Sequence, residues 1–578
     1  MRTPAARLFA IPVLVVSAGF ISAAAAMERI TDFALLDHDG DFHQLSRYAD
    51  HQAVVLFVYH RDSEIVADAL RDLDEVIEDS SDQSVAFLMI DSSPRDDKAA
   101  IALSVADRMI DTPVLLDDTQ LVSAALGIKR AAEILVIRPA GLELIYRGAL
   151  NDRFIEGSDR RRASEHYLAD VLSALEHDEQ LPETMPASSG EAIAYTARAR
   201  HAESGLSYAE DVVPVLERRC TECHREGGIA PFAMSSHQVV QGWSPMIRET
   251  LLTKRMPPAQ IDPAFVHDFI GVSHITPEET QTLVHWIEDG AQFNSNTDPL
   301  ATAEREESKW MLGEPDMIVQ VPEQQIPATG ILDYRNVPVP LNIDKDVWVR
   351  AVEFHPGDKQ VVHHIIAFSM GPDGLNQFDV LNQGIGLGAY APGNQPTVFP
   401  ENTGYPLKAG GGLFLQMHYT TSGKETVDAS EIGLYLYDEP PRQPVLGGSA
   451  ADLNIQIPAN TGHFPMTAQK VFPKDSYLTM LGPHMHYRGK EASYTLIYPD
   501  GSEETLLSVP NYQFNWQKNY DFVEPKFIPA GTTLVFDGAF DNSAMNPDNP
   551  DPDIEITWGE QTFNEMFFGF YRFIEAME

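Results

Sequence analysis

A chain of 578 residues with 43% hydrophobic content is too long for one core and divides into roughly three or four domains. Its formal charge of −44 argues against nucleic acid and anionic membrane surfaces as partners, since both need clustered Lys and Arg. Cys220 and Cys223 are its only cysteines, so a disulfide scaffold is excluded and the pair needs another use.

The chain opens with Arg2 and Arg7, an apolar run from Leu8 to Ile21, and Ala24-Ala25-Ala26. That pattern is a secretory signal with an A-x-A-like cleavage site, which predicts removal of residues 1–26 and a periplasmic or secreted protein. The run is short for a membrane span, and no later stretch is long enough to cross a bilayer. From 27 to 160, short β-rich runs alternate with helical ones. Ala53-Val54-Val55-Leu56-Phe57-Val58 reads as a buried strand, 65–77 as an amphipathic helix, and 84–90, 134–137 and 142–146 as further strands. With Ile30-Thr31-Asp32-Phe33-Ala34-Leu35-Leu36-Asp37 at its start and Tyr146-Arg147-Gly148 at its end, this α/β region resembles the thioredoxin-like redoxins. The place where that fold carries its reactive cysteines reads Tyr59-His60-Arg61-Asp62-Ser63-Glu64, and Ala131-Ala132-Glu133 stands where it carries a cis-proline. Without a thiolate neither disulfide exchange nor peroxide reduction is possible, so the domain is expected to dock partners or support the structure.

Residues 161–205 predict a helix over 163–175 and then a linker rich in Pro, Ser, Gly and Ala. Next, Cys220-Thr221-Glu222-Cys223-His224 is a C-x-x-C-H signature. Its two thiols suit thioether bonds to a haem and His224 suits the proximal iron position. Met256, in Lys254-Arg255-Met256-Pro257-Pro258, is the expected distal ligand, with His237, His267 and His274 as alternatives. A helix opens at Thr276-Pro277-Glu278-Glu279, with Pro in the first position and acids in the first turn. The stretch 206–295 resembles small secreted cytochrome c domains, which implies an all-α fold holding one haem c. The rival reading, a thioredoxin-type redox pair, lacks an α/β setting here and leaves His224 unexplained.

After a linker over 296–313, short apolar strands separated by Gly, Pro, Asn and Asp predict two all-β sandwiches, 314–455 and 456–578. Val361-Val362-His363-His364, Leu415-Gln416-Met417-His418-Tyr419, Gly482-Pro483-His484-Met485-His486 and Asn564-Glu565-Met566 set five histidines and a methionine in apolar surroundings. His484 and His486 are two apart and face the same way on a strand. His363 and His364 are adjacent, so sharing one ion demands a strand end or a bulge, with His418 completing the site. The Met566 thioether suits copper. Taken singly, each of the six reads as a core residue; the ordered set points to metal.

That order resembles the copper type II, ascorbate-dependent monooxygenases, the family of peptidylglycine α-hydroxylating monooxygenase and dopamine β-monooxygenase, over residues 314–578. The resemblance implies two jelly-roll-like halves and two coppers. His363, His364 and His418 would hold the electron-transfer copper; His484, His486 and Met566 would hold the copper where oxygen binds and a C–H bond is hydroxylated. The family's disulfides have no counterpart here. Its carboxylate-gripping residues are replaced by Leu481-Gly482-Pro483 and Phe567-Phe568-Gly569-Phe570. A small apolar or aromatic substrate is therefore expected. Strand period sets Phe568 and Phe570 on the face of Met566 and Phe567 on the other, although all three also read as core. The expected partners are O2, that substrate and an external electron donor, either ascorbate-like or a redox protein, feeding haem, first copper and second copper in turn. Two other readings stay open: a copper and haem electron-transfer protein without hydroxylation, and a non-enzymatic redox scaffold. The oxygen-rich loop 541–553 reads as a solvated turn, with calcium as the alternative.

Overall fold

In the computed structural model the described residues are 28–577, apart from 81–83, 94–97, 183–184, 304–308, 375–383 and 385. The signal segment expected at 1–26 lies outside them. The first sheet has the order Glu28–Arg29, Glu143–Ala149, Glu133–Arg138, Ala53–Tyr59, Val85–Asp91, Val114–Leu116. Its last three strands run parallel, and Glu133–Arg138 joins them antiparallel. Ala53–Tyr59 is buried at every position, as a strand covered on both faces must be. Helix Glu64–Asp79 follows, capped by the Ser63 hydroxyl, which accepts from Val66 N–H at 3.1 Å.

The linker expected over 161–205 is part of this domain. Helix Tyr167–Glu176 sends Leu168, Val171 and Leu172 into the sheet's core. Beyond it the chain returns along the loop ahead of Glu133–Arg138: Ala131 N–H donates to the Glu191 carbonyl at 2.9 Å, and Ser188 Oγ donates to the Ala131 carbonyl at 2.8 Å. Gly190 is required there, because a Cβ on it would lie 2.0 Å from the Ala131 carbonyl oxygen. The strap also reaches the position of the absent thiol, where Ser63 Oγ donates to Glu191 at 2.6 Å.

Residues 196–302 carry helices and no strand. Helix Pro277–Glu288 begins with a capping box between Thr276 and Glu279, as its sequence predicts. This segment has a core of its own around Tyr208, Leu216, Val240, Leu283 and Trp286, and it also shares residues with its neighbours. Leu252 and Val284 pack into the redoxin side, while Ile261 and Phe269 join the core of the last β-unit. The stretch read as a linker over 296–313 is likewise tied down where it is described: Asp298 accepts from Tyr208 and from His237 N–H, and Trp310 is buried.

Two β-sandwiches follow. In the first, the sheet Arg335–Pro340, Gly412–Tyr419, Val362–Met370, Gly388–Tyr390 packs on one led by Val347–His355. In the second, Leu446–Ala451, Phe568–Glu575, Ser476–His484, Tyr520–Ile528 packs on Phe464–Val471, Thr533–Phe540, Gly489–Ile497, Glu503–Val509. Leu446–Ala451 pairs with Phe568–Glu575, so the change of sandwich precedes residue 446 and not 455. Alternation decides what faces what. Leu413, Leu415 and Met417 fill the first core. Ile366, Phe368 and Phe414 point away from it to meet Met480 and Phe570 of the second sandwich. The outer faces of two sheets thus form a second buried layer, and the histidines lie on it.

Candidate functional site

His363 is the extra residue of a β-bulge: Val362 pairs with Tyr419 and His364 with His418, with a register shift between them. The bulge lets two adjacent imidazoles turn to one side. His363 Nδ1 lies 3.1 Å from His364 Nδ1 and 3.2 Å from His418 Nδ1. Nitrogens sharing one ion at about 2 Å are roughly 3 Å apart, so this spacing fits a single metal ion. The outer Nε2 of His364 is buried with no hydrogen-bond partner among the described residues.

His484 ends its strand, and His486 stands just beyond it with ring centres 5.3 Å apart. Their Nδ1–H groups are tied away: His484 donates to Gln517 Oε1 at 2.7 Å and His486 to the Asn564 carbonyl at 3.2 Å. Such partners fix the ring and turn Nε2 inward. The two sets adjoin, with the His364 and His484 rings 6.3 Å apart. All five imidazoles are held neutral. Burial is the main cause, and at His363, His364, His418 and His486 neighbouring imidazoles add to it, taking His363 and His484 down to about 4, His486 to about 3, His418 to about 2, and His364 well below its ordinary value. At His363 and His484 the nearby Asn515 and Gln517 side chains partly oppose the fall. Neutral imidazoles keep the lone pairs a metal requires. Met566 is half-buried two residues ahead of Phe568, which pairs with His484.

Phe568 and Phe570 stack on each other, 5.5 Å apart, and flank His484 at 6.5 and 5.9 Å. Phe567 turns the other way onto Phe536 in the sandwich core, as strand period predicts. Several residues with no motif of their own complete the site. Tyr334 lies 4.6 Å from the His418 ring, and its hydroxyl is 3.4 Å from His486 Nε2. Phe514 stacks on His363 at 4.6 Å. Glu565 accepts from His486 N–H and Arg488 N–H at 2.8 and 2.7 Å, clamping the turn after the H-x-H pair. Burial pushes its carboxyl up to about 8 against the pull of those N–H groups. The fully buried Arg488 donates through Nε to Asn542 Oδ1 at 2.7 Å and through Nη2 to the Asp551 carbonyl at 3.4 Å. Arg488 is thus one cation that the loop 541–553 engages.

Cys220 ends helix Val213–Arg219, and the two half-buried thiols are free. Burial pushes Cys220 up to about 12 and raises Cys223, with Glu222 adding to the latter. These are the reverse of reactive thiolates. His224 Nδ1–H donates to the Phe232 carbonyl at 3.0 Å, which leaves Nε2 as the lone-pair nitrogen a haem iron takes. The donor set fits a covalently held haem. Met256 is in the lining of a cavity of about 140 Å³ between the redoxin, helical and last β-units, together with His274. His237 is committed to the Ala291 carbonyl at 2.8 Å and His267 is exposed. Among the alternatives, His274 alone shares the cavity.

Residues 26–151 match the model of the AhpC/TSA family. No curated protein matches the chain. Among solved structures, a hypothetical protein from Sinorhizobium meliloti 1021 is 21% identical over 30% of this chain and 94% of its own, with a TM-score of 0.27. Peroxidoxin BcpB from Mycobacterium tuberculosis is 22% identical over 21% of this chain and 84% of its own, TM-score 0.19. A secreted disulfide oxidoreductase from Mycobacterium tuberculosis is 15% identical over 25% and 95%, TM-score 0.19. No helix among the described residues is long and apolar enough to cross a membrane. The N-terminal domain is an AhpC/TSA thioredoxin-like redoxin domain.

Proposed function

We propose that this chain is a periplasmic or secreted copper monooxygenase that hydroxylates a C–H bond of a small apolar or aromatic molecule with O2, taking electrons through its own c-type haem. The observation that carries the reading is the convergence of buried, neutral imidazoles on both facing sheets, three of them within 4.8 Å of one another. His363, His364 and His418 would hold one copper through Nδ1, and His484 and His486, with Met566, a second through Nε2. Copper, when bound, supplies one-electron redox chemistry toward O2. The protein's part is positioning and exclusion of water. Gln517 and the Asn564 carbonyl fix two rings, and Glu565 fixes the backbone that carries His486. Phe568 and Phe570 offer an apolar wall beside His484, which suits a substrate without charge.

A second reading is a copper and haem electron-transfer protein. It is favoured by the close packing of Tyr334 and Phe514 against the histidines. Full-length protein loaded with haem and copper would be reduced without air, pulsed with ¹⁸O₂ and offered a panel of small aromatic and aliphatic compounds. The His486→Ala variant would run in parallel. One ¹⁸O per product, lost in the variant together with one copper, supports the monooxygenase. Two coppers, prompt reoxidation and no labelled product across the panel select electron transfer. Fewer than two coppers per chain removes the dicopper reading.

A further inference from the structure

His484 and His486 supply two nitrogens, and a copper site takes more donors than that. Met566 comes to this set from the resemblance; the structure brings a further donor that no motif marks. Arg335 opens strand Arg335–Pro340 and pairs with Met417, so Tyr334, one residue earlier, arrives opposite His418 in the histidine layer. Its ring lies 4.6 Å from that of His418, 5.4 Å from His364 and 6.3 Å from His486. The hydroxyl is 3.4 Å from His486 Nε2 and has no shorter hydrogen bond among the described residues. Hydroxyl bonds centre near ~2.8 Å, so this is a poor one. His486 Nδ1–H is spent on the Asn564 carbonyl, which leaves Nε2 the lone pair. Two donors each about 2 Å from one ion, at a tetrahedral angle, stand roughly 3.3 Å apart. The Tyr334 oxygen and His486 Nε2 have that spacing, whereas Phe514, whose ring is also 6.0 Å from His486, brings only carbon.

We propose that Tyr334 is an oxygen donor to the copper held by His484 and His486, so that this site draws its donors from both sandwiches. The inference rests on the dicopper part of the function proposed above. Tyr334 belongs to the first sandwich and His486 to the second, and an ion shared between them ties the two sheets across the histidine layer. Binding forms one copper–oxygen bond at the phenol and releases its proton to the buffer, as metal binding to a protonated ligand does; no electron moves. An oxygen donor suits copper(II), as the Met566 thioether suits copper(I). The two side chains thus serve different oxidation states of one ion.

Full-length protein would be produced with ordinary and with ring-deuterated tyrosine, loaded with haem and copper(II), and compared by resonance Raman spectroscopy. Bands of a copper-bound tyrosinate should appear with the second copper and shift with the label, which haem bands do not carry. Tyr334→Phe should lose them, and its second copper(II) should bind at least ~10-fold more weakly by chelator competition, while its copper(I) affinity holds. Met566→Leu should show the reverse. Two coppers without a label-sensitive band overturn the proposal on the native protein alone, whether or not the variant folds. A second copper(II) held as tightly or more tightly in Tyr334→Phe also overturns it, since the phenol then packs against the imidazole or competes with the ion. Fewer than two coppers in the native chain overturn the dicopper reading beneath it, and the copper count separates the two failures.

Discussion

Ser63 in the redoxin domain and His364 between the sandwiches are both buried polar residues, yet their surroundings differ in kind. Ser63 is satisfied twice, accepting from Val66 N–H as a helix cap and donating to Glu191 from the strap. His364 has its inner nitrogen against another imidazole and its outer nitrogen without a hydrogen-bond partner among the described residues. A satisfied polar group stabilises the fold by about 1 kcal/mol, and an orphaned one costs about 1–3 kcal/mol. The redoxin site has been closed over by the chain itself, whereas the histidine layer retains the cost of an unpartnered buried nitrogen.

The sharpest way to break this contrast is His364→Leu. Metal affinity should fall by more than the ~10–100-fold that losing a partner behind a ligand costs, read as copper per chain after dialysis. The metal-free variant should nevertheless unfold later in urea than the native apo-protein, by about 1 kcal/mol, because an orphaned buried nitrogen is gone. A less stable apo-variant would show that the imidazole is ordinary core. Next in size is Arg488→Met. It leaves the Asn542, Phe563 and Asp551 oxygens without their cation and removes the charge that faces the Glu565 carboxyl. Breaking such a buried charged network costs about 3–5 kcal/mol, and the second copper should be lost before the first.

Much of the histidine layer was legible in the chain because its members come in short, spaced motifs. The adjacent pair His363-His364 demanded a bulge, and the register shift at that pair supplies one. Period-two alternation separated Phe567 from Phe568 and Phe570. Tyr334, Phe514 and Gln517 were not legible, since each acts through a contact between segments far apart in sequence and none sits in a spaced pattern. The boundary at 446 escaped because Leu446–Ala451, rich in Gly and Ala, carries little periodic signal before its pairing with Phe568–Glu575 is known. The strap over 186–194 escaped for a related reason: linker composition describes backbone freedom, and hydrogen bonding to Ala131 removes that freedom.

A third histidine group tests whether the cluster is special. His201 Nδ1 and His285 Nδ1 are 2.8 Å apart between two helices, beside Arg198, Arg200 and Asp289. Burial, then His201 and the arginines, takes His285 down from 6.5 to about 4, and burial lowers His201 as well. A depressed imidazole stays neutral in the fold while the unfolded chain takes up protons. Stability is therefore full above about pH 6.5 and lost as pH falls toward 4, by up to about 3 kcal/mol. Urea unfolding of the native chain between pH 7.5 and 5 should show this slope, and His285→Gln should flatten most of it. An equal slope in the variant would assign the acid sensitivity to other groups. The pair should bind copper far more weakly than the cluster, because it lacks the third imidazole that His418 brings to His363 and His364.

The smallest expected effect bears on the other half of the comparison. Ser63→Ala removes a helix cap and the anchor of Glu191, at a cost of about 1–2 kcal/mol. The sign is opposite to that expected for His364→Leu. Hydrogen exchange should quicken at the start of helix Glu64–Asp79 and along the strap over 188–192, and nowhere near the histidines. Ser63→Cys should restore neither peroxide reduction nor disulfide exchange, because a thiol alone, still facing the Glu191 carboxylate, is held protonated by its negative neighbour. If Ser63→Cys reduced peroxide at a rate above free cysteine, the strap would not close the old thiol position. The domain would then be one point mutation away from the chemistry of its family.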